Sequence, residues 1–238
     1  EYFAAREKKP YAGKVISDPR CTMQDIEAVI ALARKKDPTL TDKHAEILKK
    51  IFDGPKNSKG ERIFGGVPLG SSIFPATGNR YLFQWVTEKN IDYNAINFDG
   101  DIDAYTRKLG VYLNAENPDL SKFRARGGKL LMVSGTADSV VPFHATLDYY
   151  ERCAEKAGSM EQLQEFFRYY WYPGGPHSCG LPGTLEKLIA WREKGIAPEG
   201  ISVKLKDGTN ATIYPYPAGV KRGGVERVNP RFSPAAEE

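Results

Sequence analysis

The chain has 238 residues, enough for one large domain or two small ones with ample core. Hydrophobic residues make up 41% and charged residues 27%, an ordinary globular balance, and no apolar run is long enough to cross a bilayer as a helix. The net charge is +4 with basic residues spread among acidic ones. A nucleic-acid binder gathers Lys and Arg on one face, so neither nucleic acid nor a membrane is expected as a partner.

The first residue is Glu1, with no charged-then-apolar leader before it, so the chain is expected to begin after a cut or to be a fragment. The three cysteines are Cys21, Cys153 and Cys179. An odd number in an exported protein suggests a free thiol or a bridge to another chain. Asn210-Ala211-Thr212 has the acceptor pattern for N-glycosylation.

In chain order, Ile26, Val29, Ile30 and Ala33 recur at helical spacing, which predicts a helix over Asp25–Lys36 that Pro38 stops. Thr41 is the expected N-cap of a second helix with an apolar stripe of Ala45, Leu48, Ile51 and Phe52, stopped by Gly54-Pro55. The stretch from Lys56 to Gly78 reads as irregular surface. Tyr81 to Val86 is a short apolar-aromatic run, and a polar loop is expected from there through Asp103. The character changes at Gly127-Gly128. Lys129 to Gly135 is continuously apolar at its centre, as in a strand of a parallel sheet buried on both faces. Leu147, Tyr150, Ala154 and Ala157 mark an amphipathic helix over His144–Ala157, closed by Gly158. Glu165 to Tyr172 reads as a second strand. Thr184 to Lys194 reads as a helix capped by Thr184 and ended by Gly195, with Leu185, Leu188, Ile189 and Trp191 as its apolar residues. The tail from Asn210 is expected to be loop-like. The order strand, helix, strand, helix points to an α/β fold with a crossover unit.

In parallel α/β sheets the working residues lie just beyond the carboxyl ends of the strands. Two titratable residues fall there: Asp138 in GTADSVVP and His177 in YPGGPHSCG. On neighbouring strands both would emerge at one edge. A carboxylate could then fix the imidazole tautomer while the other ring nitrogen serves a nucleophile. Against this stands the plainer reading of Asp138 as a turn former and His177 as a loop residue. In α/β-hydrolases the triad runs Ser, then Asp, then His, with the serine in a G-x-S-x-G turn. That turn does not occur upstream of Asp138; Gly70-Ser71-Ser72 is nearest and reads as surface loop. His44 and His144 lie inside predicted helices and read as structural. Asp99, Asp101 and Asp103 alternate as in a calcium loop, but no Glu completes the pattern. Cys179 lacks the second Cys/His pair that zinc needs, and stands too close to His177 to be a well-oriented nucleophile. No metal is therefore assigned.

Several segments together resemble the tannase and feruloyl esterase family of α/β-hydrolases, which also includes an enzyme that hydrolyses a terephthalate monoester. VISDPRC and LTDKHAEILKKIFDGPKNSKGERIFGGVPLGS resemble the family's lid. NPDLSKFRARGGKLLMVSGTADSVVP, YYER, FFRYYWYPGGPHSCG and LIAWREKGIAPEGI resemble its catalytic C-terminal region. The resemblance implies the C-terminal portion of an α/β-hydrolase core plus part of a helical, loop-rich lid, with the boundary near residues 115 and 116. It implies that Asp138 is the triad acid and His177 the triad base. The serine and oxyanion hole would precede Glu1. In the family a Cys directly after the His bridges to a Cys beside the serine; here Ser178 intervenes and Cys179 is one position late. The family's lid calcium site is not matched, because Ala12, Gly13 and Lys14 stand in its place, so no cofactor is expected. Some fungal tannases are cut into two associated chains, which implies a partner chain carrying the serine. The expected activity is hydrolysis of esters of aromatic acids such as gallate or ferulate, by a secreted or periplasmic enzyme. The rival expectation is a non-catalytic binding or assembly subunit that keeps the hydrolase fold.

Overall fold

The computed structural model describes residues 19–73, 97–204, 208 and 210–217. The Tyr81–Val86 run and the Ala12-Gly13-Lys14 segment lie outside the described residues.

Helix α1 spans Met23–Lys36 and begins two residues before the expected Asp25. The reason is a reciprocal cap. Thr22 N donates to Asp25 Oδ2 at 2.8 Å, and Asp25 N donates to Thr22 Oγ1 at 3.2 Å. Helix α2 spans Asp42–Asp53 with Thr41 at its N-cap. His44 is part of that cap, its Nδ1 accepting from Thr41 N at 3.3 Å. Ile26, Ile30 and Leu69 are buried between these helices, with Ala45, Leu48 and Phe52 packed against them. Residues 56–73 are irregular apart from a bridge between Lys56 and Arg62. Both of those side chains pair with the Asp53 carboxylate at the end of α2.

The polar loop expected through Asp103 is overturned from Asp101 onward, where helix α3 runs over Asp101–Leu113. Three acidic residues around Gly100 masked the start of a helix whose N-terminus favours negative charge. A short helix α4 follows at Ser121–Ala125.

Strand β1 spans Leu130–Gly135. Helix α5 spans Phe143–Ala157 and ends at Gly158, whose φ is 102°. A short helix α6 at Met160–Gln164, capped by Ser159, precedes strand β2 at Phe167–Tyr172. It takes up residues between α5 and the strand and delays the strand start from the expected Glu165 to Phe167. β1 and β2 pair in parallel, Leu130 opposite Phe167 and Gly135 opposite Tyr172. Helix α7 spans Thr184–Lys194, but its N-cap is Gly183 in the left-handed region, not Thr184. Only Trp191 is buried on it, while Leu185 and Ile189 are exposed. Lys129 Nζ and Arg168 Cζ lie 5.1 and 5.4 Å from the Trp191 ring centroid. Strands β3 (Ile201–Lys204) and β4 (Asn210–Ile213) form an antiparallel hairpin, so the tail from Asn210 is not all loop. β3 alternates buried Ile201 and Val203 with exposed Ser202 and Lys204.

Alternate residues of β2 serve two cores. Phe167, Tyr169 and Trp171 pack with Phe143, Leu147 and Tyr150 of α5. Tyr170, on the other face, packs with Leu181, Ile201, Val203 and Ile213. β2 is buried as a strand between two layers should be. β1 is only half-buried from Leu130 to Ser134, contrary to the expectation of burial on both faces. Among the described residues it has one strand neighbour.

His144 sits where the irregular 56–73 segment meets α5. Its ring stacks on Phe143 at 4.2 Å, and a Cβ on Gly65 would come within 2.5 Å of it. Among the described residues its Nδ1 is buried without a hydrogen-bond partner. Burial, helped by the charge of Arg62, pushes the imidazole down from 6.5 to about 4. Between those values the unfolded chain binds the proton and the folded chain does not. Stability contributed by neutral His144 is therefore present above pH 6.5 and lost as pH falls toward 4, at about 1.4 kcal/mol per pH unit within the window. Urea unfolding at several pH values should show this slope in the parent. Replacing His144 by Phe should flatten it.

Candidate active site

The parallel register ends with Gly135 opposite Tyr172, so the loops after β1 and β2 leave the sheet side by side. Tyr172 O accepts from Thr136 N at 3.1 Å and from Gly175 N at 2.9 Å. Ala137 N donates to Gly175 O at 3.0 Å. Gly174 N donates to Thr136 Oγ1 at 2.8 Å. Approach this close leaves no room for side chains. A Cβ on Gly135 would overlap the carbonyls of Gly175 and Pro176, and one on Gly175 would overlap the Tyr172 ring.

These ties bring Asp138 and His177 together. Asp138 Oδ2 lies 3.0 Å from His177 Nδ1. Asp138 Oδ1 accepts from the amides of Val140 at 2.8 Å and Val141 at 3.0 Å. The same carboxylate is therefore both a turn former and the hydrogen-bond partner of a histidine. Asp138 is 7% exposed. Burial raises its pKa, but the Val141 amide, His177 and the Val140 amide together outweigh it and hold the carboxyl below the usual range. An anionic Asp138 accepting at Nδ1 selects the tautomer with its proton on that nitrogen and leaves Nε2 unprotonated. The His177 side chain is 52% exposed.

Asp138 and His177 line a cleft of about 840 Å³ together with Met132, Val141, Tyr149 and Cys179. Cys179 is half-buried, and neither it nor Cys21 nor the buried Cys153 forms a disulfide among the described residues. Burial pushes the Cys179 thiol up, and the charge of Asp138 adds to this, which makes it a poor nucleophile. Ser71 and Ser72 are not among the lining residues; the Ser71 hydroxyl donates to Pro68 O within a turn. Asp99 accepts from Ser58 N at 2.9 Å, and no group of three or more metal-binding side chains occurs among the described residues. No helix among them is long and apolar enough to cross a membrane. Reading the sequence missed the parts that hold the pair: Thr136, the glycines at 135 and 175, and the amides of Val140 and Val141. The doubled Gly174-Gly175 was their one visible trace.

The family profile described as tannase and feruloyl esterase matches residues 71–224. An uncharacterized esterase of Xanthomonas campestris is 29% identical over 80% of this chain and 43% of its own length. A tannase of Aspergillus oryzae is 25% identical over 73% of this chain and 36% of its own. The crystal structure of feruloyl esterase B from Aspergillus oryzae superposes with a TM-score of 0.71 at 18% identity, over 87% of this chain and 48% of that one. The chain thus spans less than half the length of these relatives. The likeness in structure makes the fold α/β-hydrolase-like, with this chain covering part of it.

The close approach of the two loops gives a direct test. Gly135→Ala should cost about 1–3 kcal/mol by overpacking and separate the loops. Gly180→Ala, where a Cβ meets nothing within 4 Å, should change stability by less than about 0.5 kcal/mol. Thermal or urea unfolding of the two variants measures the difference.

Proposed function

The chain belongs to the tannase and feruloyl esterase family, and from that premise we propose that it supplies the acid and the base of a serine esterase acting on esters of aromatic acids. The observation that carries this reading is the 3.0 Å contact between Asp138 Oδ2 and His177 Nδ1 at the carboxyl edge of two parallel strands. In the proposed reaction His177 Nε2 takes the proton of a serine hydroxyl as its oxygen attacks the ester carbonyl. The imidazolium, stabilised by Asp138, then returns the proton to the leaving alcohol. Water, deprotonated by the same nitrogen, attacks the acyl-enzyme carbonyl, and the imidazolium returns that proton to the departing serine oxygen as the acid is released.

The serine and the oxyanion hole belong, in this proposal, to another chain or to a part of the protein outside these residues. The chain alone would then lack a nucleophile. Phenolic acids such as gallic or ferulic acid are the proposed acyl groups, in keeping with the tannase and feruloyl esterases among its relatives. In the same proposal Cys179, which lines the cleft, would bridge to a cysteine beside that serine. Such a bridge needs an oxidising compartment, so a secreted or periplasmic location forms part of the same proposal.

In the complete enzyme, His177→Ala should lower kcat on an aromatic ester by several orders of magnitude, and Asp138→Asn by about 10⁴-fold through the wrong tautomer. Binding of the product acid should change little. Near-parental turnover in His177→Ala would end the catalytic assignment and leave a binding or assembly role.

A further inference from the structure

We propose that Thr136 is a positioning residue whose hydroxyl sets the loop of His177 against the loop of Asp138; its functional meaning rests on the esterase reading above. The two partners are held unequally. Asp138 is clamped on its own loop by the amides of Val140 and Val141. His177 is half exposed and reaches Asp138 from a separate loop. That loop turns at Gly174, whose φ of 66° is in the left-handed region, three residues before the histidine. The Gly174 N–H donates to Thr136 Oγ1 across 38 residues of sequence. Thr136 itself is two residues before Asp138 and 3% exposed. The ties of Thr136 N and Gly175 N to Tyr172 O and of Ala137 N to Gly175 O join backbone to backbone, which any residue but proline can supply. The tie at Gly174 needs a side-chain oxygen at position 136, buried and at this distance.

Without that acceptor the Gly174 N–H loses its partner and the turn carrying His177 is no longer fixed in depth. Displacement of the ring by a fraction of an ångström weakens the bond that selects its tautomer and misplaces Nε2 for proton transfer. Valine matches threonine in shape and lacks the oxygen; serine keeps the oxygen and lacks the methyl.

The experiment uses the complete enzyme labelled with ¹⁵N at histidine, at a pH where the rings are neutral, with the His177 signals assigned by their loss in His177→Ala. Ring ¹⁵N shifts report the tautomer of His177, and amide exchange reports the Gly174 bond. In the parent and in Thr136→Ser, His177 should carry its proton on Nδ1 and the Gly174 amide should be protected. In Thr136→Val the His177 shifts should move toward those of a free imidazole, and Gly174 exchange should speed at least tenfold. Parental shifts and protection in Thr136→Val would overturn the proposal, as would equal disturbance in the serine variant. If valine prevents folding, Thr136→Ala is read in the same way. Failure of both to fold, with serine folding, would make Thr136 purely structural and also overturn it. Asp138→Asn separates the two levels. Should it shift the His177 tautomer while Thr136→Val does not, only this inference fails. Should neither do so, the acid–base reading fails with it.

Discussion

A single carbonyl, Tyr172 O, accepts two backbone amides, Thr136 N from the end of β1 and Gly175 N from the loop after β2. Sharing one acceptor forces the two chain segments to run within van der Waals contact. Gly135 and Gly175 stand where they do because a Cβ at either would strike the opposite loop or the Tyr172 ring. The juxtaposition of Asp138 and His177 follows from this backbone contact. Two residues 39 apart in sequence meet because the parallel register ends both strands at the same level.

The sheet edge rests on a packed aromatic layer. β2 is filled with aromatics on both faces. Phe167 meets Tyr150 edge-on at 4.8 Å, and Trp171 meets Phe143 at 5.4 Å. Tyr216 extends this layer, donating its N–H to Tyr169 O at 2.7 Å and its hydroxyl to Glu151 at 2.7 Å. The long α5 crossover is thus anchored along most of its length, and its N-terminal end carries the Asp138 loop. A carboxylate at 7% exposure is costly to ionise unless it is paired. Two amides and an imidazole supply the pairing here, and the net effect is a stabilised anion.

Much of this was legible in the sequence, and the reason is local. The apolar run of β1, the aromatic run of β2 and the 3.6-residue spacing of α5 each declare themselves within one window. Asp138 and His177 stood out because they follow strands that a crossover helix would bring side by side. The losses have equally local causes. Asp101 and Asp103 looked like a polar turn because acidic residues favour loops and helix N-termini alike. Gly183 starts α7 in the left-handed conformation that glycine tolerates, while Thr184, a commoner cap residue, stands one position later and draws the reading to itself. In the hairpin, the four-residue alternation of Ile201-Ser202-Val203-Lys204 in β3 is easily passed over. The half-exposure of β1 depends on which strands flank it, and that is a property of the assembled sheet. Thr136 was invisible because its partner is a backbone amide 38 residues away.

The family profile and the folds of its relatives agree with this arrangement at the level of architecture, over less than half of the relatives' length. The chemistry turns on whether a nucleophile meets the nitrogen that Asp138 leaves unprotonated. The most direct measurement is a crystal structure of the complete enzyme after reaction with a serine-directed phosphonate ester. The account predicts a serine Oγ–phosphorus adduct with that Oγ within about 3 Å of His177 Nε2 and the Asp138–His177 bond intact. A phosphonylated residue remote from His177, or a His177 Nε2 with no hydroxyl oxygen in hydrogen-bond reach, would contradict it.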